Sequence, residues 1–112
     1  MMHIAQAAAR KSTMKPQVGA VVVRGGRVLG VGFNSEGYSK RTPGAWSRHA
    51  EVQACLNVDV RGATVFVYRA HGLTGGPMLA RPCLSCWEFM RQAQVRRAVW
   101  TAPGGRVLAD LS

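Results

Sequence analysis

Cys83 and Cys86, separated by two residues and preceded by Pro82, begin 34 positions after His49. A fold in which the three act together must bring two distant segments to one point. A Cys-x-x-Cys pair at the start of a helix can aim both sulfurs at one metal ion, because positions i and i+3 share a face. One imidazole then makes three protein ligands, the number found at a catalytic zinc site with an open coordination position; a structural site takes four. Glu51, two residues after His49, adds a carboxylate able to move protons. His49 and Glu51 would diverge on a regular helix, so both reach one cavity only from a helix start.

Each residue also has a plainer reading. Cys83 and Cys86 could be a redox pair, although such a pair belongs after a strand and needs no distant His-x-Glu. They could be half of a structural zinc site completed by His49 and His71 or His3, which would make the chain a zinc-stabilised nucleic-acid-binding module. Cys55 reads as a small apolar core residue. Trp87 and Trp100 read as core or interface residues rather than platforms for stacking bases.

The pattern along the chain supplies elements for the site. Ile4, Ala5 and Ala8 recur at helical spacing within Met1 to Arg10, and Pro16 ends that region. Two Val-rich runs, Gln17 to Arg24 and Arg27 to Phe33, are joined by Gly25-Gly26, the signature of a tight hairpin. Asn34 to Trp46 reads as an exposed loop. Ser47 is expected to cap a helix from about Arg48 to Asn57. Ala63 to Arg69 reads as a strand, Ala70 to Arg81 as a Gly-rich loop, and Leu84 to Gln94 as an amphipathic helix with Cys86, Phe89, Met90 and Ala93 on one face. Arg97 to Thr101 is a short strand, Pro103-Gly104-Gly105 a turn, and Arg106 to Leu111 a last strand. Alternating strands and helices imply an α/β layered fold.

At 112 residues the chain holds material for one core, so residues 1–112 are expected to form a single domain. No apolar run approaches the roughly 20 residues of a membrane span. The N-terminus shows no secretion signal, and three cysteines suit a reducing compartment, so a cytoplasmic setting is expected. Fifteen Lys and Arg against 5 Asp and Glu give a formal charge of +10. That field attracts polyanions, although an Arg-rich surface can serve solubility alone. Trp46 and Tyr38, among Lys40, Arg41 and Arg48, are the candidates for stacking on bases.

His49-Ala50-Glu51 followed by Pro82-Cys83-Leu84-Ser85-Cys86 matches the motif of the zinc nucleobase deaminases. The chain resembles the cytidine deaminase-like superfamily over most of its length, including Gly19-Ala20-Val21-Val22-Val23 before the hairpin and Gly32-Phe33-Asn34 after it. The resemblance implies a layered α/β sandwich with a central mixed sheet of about five strands flanked by helices. It implies a Zn2+ cofactor on His49, Cys83 and Cys86, with Glu51 as acid and base in hydrolytic attack on C4 of cytosine or C6 of adenine. It also implies that the Ala50 N–H holds the carbonyl of the base and that Asn34 binds a sugar hydroxyl or base edge. Asn after a strand is equally an ordinary turn residue.

Cytosine is favoured over adenine. tRNA adenosine deaminases usually pass from the third strand almost directly into the Pro-Cys-x-x-Cys segment, whereas here Ala70 to Arg81 intervenes. The final segments resemble the closing hairpin of some cytidine deaminases. Small free-nucleoside deaminases generally carry Cys where His49 stands, which places this chain nearer the deoxycytidylate and polynucleotide enzymes. The expected substrate is single-stranded DNA or RNA, bound through several phosphates. The alternative is free dCMP or cytidine, for which Arg41, Arg48 or Arg81 would suffice as the phosphate contact. A homo-oligomer is expected by analogy, since a small domain gains stability by association.

Overall fold

The structure, a computed structural model, describes residues 1–36, 47–56, 58–105 and 107–110. Helix α1 spans Met2–Ala9. Strands β1 (Val18–Arg24) and β2 (Arg27–Phe33) form the expected hairpin. Its turn, Gly25-Gly26, takes φ of 59° and 78°, a conformation that glycine alone adopts without strain. A register shift between Val22 and Val23 bulges the pairing. Short strands β3 (Ser35–Glu36) and β4 (Ser47–Arg48) pair with each other, ahead of helix α2 (Ala50–Cys55). Strand β5 (Thr64–Ala70), the short strand β6 (Pro77–Met78), helix α3 (Leu84–Gln92), strand β7 (Arg97–Thr101) and strand β8 (Val107–Asp110) complete the order.

The main sheet runs β2-β1-β5-β7-β8, with β6 paired to β5. It is mixed: β5 and β7 are parallel, and the other pairs are antiparallel. The five middle residues of β1 are buried, as a strand covered on both faces requires. Alternation sorts their side chains. Val21, Val23, Tyr68 and Ala70 pack with Ala5 and Ala9 of α1 on one face. Ala20, Val22, Val65, Val67, Ala98 and Trp100 face Ala50, Ala54, Cys55 and Met90 on the other. The result is the expected three-layer α/β arrangement.

Pairing across the sheet explains where the observed elements depart from the expected ones. Ser47 does not cap α2. It is held extended against Glu36, and the N-cap is His49, with φ −76° and ψ 142°. The helix also stops early, because Leu56 is already extended at ψ 139°. Helix α3 ends at Gln92, and Gln94 lies at φ 64°. The Gly-rich loop after β5 contains β6, so it folds back onto the sheet instead of running free.

One end of the sheet collects the parts that matter. Val18 starts β1, Asn34 follows β2, Arg69 lies near the end of β5, and α2 and α3 both begin there. In open α/β sheets, ligands bind outside the carboxyl ends of parallel strands. Here those ends belong to β5 and β7.

Candidate active site

His49 and Cys83 occupy equivalent places, as the N-cap residues of α2 and α3. Neither side chain caps its own helix. The two turn toward each other instead: His49 Nδ1 lies 2.9 Å from Cys86 Sγ and 3.4 Å from Cys83 Sγ. The helices start properly through the backbone, with Gln53 N–H donating to His49 O and Trp87 N–H to Cys83 O. Cys86 is one turn into α3 and fully buried, His49 is half-buried, and Cys83 is exposed. Sequence spacing demanded this face of the helix, and the structure provides it.

The ligand atoms of His49, Cys83 and Cys86 all lie within 4.8 Å of one another, and the three could hold a metal ion. Among the described residues the group has three members; His3 is exposed and outside it. His71 is also outside: its Nδ1 accepts from the N–H groups of Leu73 and Thr74. A tetrahedral zinc with Zn–S of about 2.3 Å and Zn–N of about 2.0 Å has S···N edges near ~3.5 Å. The two observed separations lie at or inside that edge. Burial pushes the Cys86 thiol far up, with further pushes from the Glu51 carboxylate and from Cys83. A cation would reverse that balance. Two thiols and an imidazole, short of a positive charge, fit zinc.

Glu51 is 6% exposed. Burial raises its pKa, against the pull of its own backbone N–H, His49 and Cys86. It opens onto a cavity of about 180 Å³ that His49, Ala50 and Cys83 also line. His49 and Glu51 therefore reach one space from a helix start, as their spacing required. Cys55 packs in the core, 5% exposed, and burial pushes its thiol up to about 12. Trp100 is buried and meets Trp87 edge-on at 5.7 Å, a core pair.

The expected substrate residues divide. Ala50, Asn34 and Arg81 line the cavity. Trp46, Tyr38, Lys40 and Arg41 lie outside the described residues, as does the side chain of Arg48. Asn34 is both turn residue and wall. Its Oδ1 accepts from Val18 N–H and its Nδ2 donates to Pro16 O, each at 2.9 Å, while its carbonyl accepts from Ser12 Oγ at 2.8 Å. Counting partners among the described residues, each amide atom keeps one further hydrogen-bonding position. Sequence reasoning missed Val18, Val67, Arg69, Leu79 and Ala80, which also line the cavity. Strand alternation could have placed Val67 and Arg69 on one face; Leu79 and Ala80 arrive through a long-range return of the chain.

Residues 1–102 match the cytidine and deoxycytidylate deaminase zinc-binding region. Among solved structures, the chain is similar to the apo dCMP deaminase of the cyanophage S-TIM5 (24% identity, 90% of this chain and 79% of that one, TM-score 0.67). It is similar to the cytidine deaminase of Burkholderia pseudomallei (22% identity, 98% and 88% covered, TM-score 0.70). It also resembles Acinetobacter baumannii RibD (28% identity, TM-score 0.57), covering 91% of this chain but only 27% of that one. No curated protein sequence matches significantly.

Proposed function

The chain belongs to the cytidine and deoxycytidylate deaminase family defined by its zinc-binding region, and from that premise we propose that it converts a cytosine ring to uracil on a free nucleotide. The carrying observation is the convergence of His49, Cys83 and Cys86 beside the cavity that Glu51 lines. In this reading those three hold the metal. Bound zinc supplies Lewis acidity, which brings the ionisation of water toward neutral pH.

Glu51 then works twice. It takes a proton from the attacking water and passes it to ring N3 as the new C4–O bond forms. It next takes the proton of the C4 hydroxyl and passes it to the amine, so the C4–N bond breaks and ammonia leaves. Cytosine and water become uracil and ammonia. Burial supports both transfers, because a carboxylate with a raised pKa holds a proton between them. Ala50 lies in the first turn of α2, where backbone N–H groups have no partner within the helix, and its N–H is suited to the carbonyl of the base. Asn34 has hydrogen-bonding capacity left for a sugar hydroxyl.

The two arginines among the lining residues of the cavity support a single nucleotide, since one phosphate suffices to engage them. A cytosine within single-stranded DNA or RNA is the second reading, favoured by the charge of +10. The test incubates the zinc-loaded protein with dCMP and, separately, with a cytosine-containing oligonucleotide at low and moderate salt, and measures uracil. Conversion of dCMP alone at both salts supports the first reading; conversion of the oligonucleotide alone replaces it with the second. A Glu51→Ala protein that keeps zinc but loses deamination by about 10²-fold or more is expected, and full activity in that variant would exclude the mechanism.

A further inference from the structure

Residues 71–81 form a strap that leaves β5 and returns to the cavity. His71 and Gly76 close its base, with His71 N–H donating to Gly76 O at 2.7 Å. The Tyr68 hydroxyl donates to Gly75 O at 2.8 Å. Parallel pairing of β5 with β7 ends at Val67 and Trp100, three residues before β5 itself ends. Past that point β6 pairs with β5, Met78 opposite Arg69 and Pro77 opposite Ala70. Since β1 still pairs with β5 at Arg69, β6 lies on the side that β7 has left. Thr101, the last residue of β7, stands where one neighbour of β5 gives way to the other.

Thr101 fastens the returning end of the strap. Its hydroxyl donates to Met78 O at 2.8 Å, and the Arg69 N–H approaches the same oxygen at 3.5 Å, so one oxygen joins β6 to β5. Its carbonyl accepts from Ala80 N–H at 2.9 Å. Thr101 is 3% exposed, and bonds shielded from water are costly to leave unmade. Leu79, Ala80 and Arg81 line the cavity, yet residues 79–82 belong to no helix or strand. Their place is therefore set from outside, by Thr101 before them and by the start of α3 after them. Ala80 is buried in one cluster with Val67, while Leu79 is 47% exposed. With Val18 these residues supply the apolar part of a lining that also holds His49, Glu51 and Cys83. A planar ring needs such a surface as well as hydrogen bonds.

We infer that Thr101 is a positioning residue: its hydroxyl fixes the strap so that Leu79 and Ala80 meet the bound base, and it thereby sets substrate affinity without entering the chemistry. The inference rests on the deaminase reading for the identity of that base. Leu79 and Ala80 touch the ligand before and during reaction alike, so a shift of this wall weakens the ground state and the transition state together. His49 and Glu51 are held by α2, and Cys83 and Cys86 by α3, so the reacting groups keep their geometry when the strap loosens.

The test measures KM and kcat of the zinc-loaded protein on dCMP and on a cytosine-bearing oligonucleotide, with zinc content by elemental analysis. Equilibrium binding of both ligands is followed in zinc-loaded Glu51→Ala carrying the same substitutions. Thr101→Val keeps the shape and removes the hydroxyl. It is expected to raise KM and Kd by about fivefold for the ligand that the protein takes, with kcat held within about twofold and zinc unchanged. Thr101→Ser is expected to restore both constants. A role in folding alone would lower the active fraction, and with it kcat, at unchanged KM. Leu79→Ala is expected to raise KM by itself, and Thr101→Val added to it to raise KM by less than about twofold more, because the two act through one wall. Binding that depends on Thr101 and Leu79 without deamination would sink the deaminase reading and leave the positioning role standing. KM and Kd unmoved by Thr101→Val, full additivity with Leu79→Ala, or no rescue by Thr101→Ser would overturn the inference.

Discussion

A single methyl group on Gly32 tests how the sheet holds the helix that carries half of the site. A Cβ at this position of β2 would lie 2.5 Å from Ala54 N, 2.6 Å from Ala50 O and 2.8 Å from Gln53 Cβ. The first two are helix backbone, which cannot swing aside as a side-chain tip can. Ordinary contact begins at 3.4 Å, so α2 must recede by about 0.9 Å in a close-packed interior. Overpacking of this kind costs about 1–3 kcal/mol. For a cooperative unit of about 100 residues, that corresponds to a drop of roughly 5–15 °C in Tm.

The functional loss should exceed the loss of stability. Ala50 sits between His49 and Glu51, and its recession carries both away from Cys83 and Cys86, which belong to a different helix. A misplacement of about 1 Å can cost about 10²-fold in rate. Gly32→Ala is therefore expected to lose about 10²-fold in kcat/KM at a temperature where circular dichroism shows it folded, and to bind zinc more weakly. Gly25→Ala is the control. Its φ of 59° strains an added side chain, but among the described residues no atom lies within 4 Å of the new Cβ, so stability falls while the folded protein keeps its turnover. A Gly32→Ala protein with unchanged Tm and unchanged kcat/KM would refute the reasoning, as would equal turnover losses in the two variants.

Zinc added to the metal-free protein near pH 7 is expected to displace about two protons, since both thiols must ionise to bind it; release of none, followed in weak buffer, would contradict thiolate ligation. For the same reason zinc affinity should climb with pH, and Cys86→Ser should reduce bound zinc measured by elemental analysis. Cys55 is held protonated in the fold up to about 12 against an ordinary 9.0, so unfolding releases its proton between those values. Its contribution is whole below pH 9 and is lost as pH rises toward 12, on the order of 4 kcal/mol in all. Denaturation midpoints of Cys55→Ala should accordingly decline less steeply above pH 9 than those of the parent, and parallel declines would count against the assignment. Tyr68→Phe removes the hydroxyl that donates to Gly75 O and should speed proteolysis within residues 71–81 while costing about 1 kcal/mol of stability; unchanged cleavage there would deny the tether.

The legible parts of the fold were those whose cause is local. The hairpin could be read because Gly25-Gly26 must adopt positive φ wherever the chain goes. Helix α3 could be read because Cys86 and Met90 share a face whatever covers it. Ser47 was misplaced because its partner, Glu36, lies eleven positions back with no periodic signal between them. Backbone pairing at that distance outweighed a capping preference worth about 1 kcal/mol. The strap was hidden for a similar reason: Thr101, which fastens it, is more than twenty residues beyond Met78. Nothing in Ala70 to Arg81 itself announces a return to the cavity.

The metal group was legible for a further reason, which also explains its weakness as structure. His49 and Cys83 stand at the N-cap positions of their helices, where Ser, Thr, Asp or Asn would hydrogen-bond the first turn and stabilise it by about 1 kcal/mol each. Neither residue does so, which makes both helix starts poorer than the sequence could have made them. Local stability and site geometry conflict at these two points, and geometry has prevailed at both. Sequence rules tend to fail in this way at sites kept for chemistry, and here the failures coincide with the residues that the metal would unite. Zinc binding should return the stability forgone, because a ligand held only by the folded state deepens it. The metal-free protein is thus expected to melt earlier than the zinc-loaded one, with the α2 and α3 N-termini the first to exchange their amide protons; equal melting and equal protection in the two forms would show that the caps cost nothing.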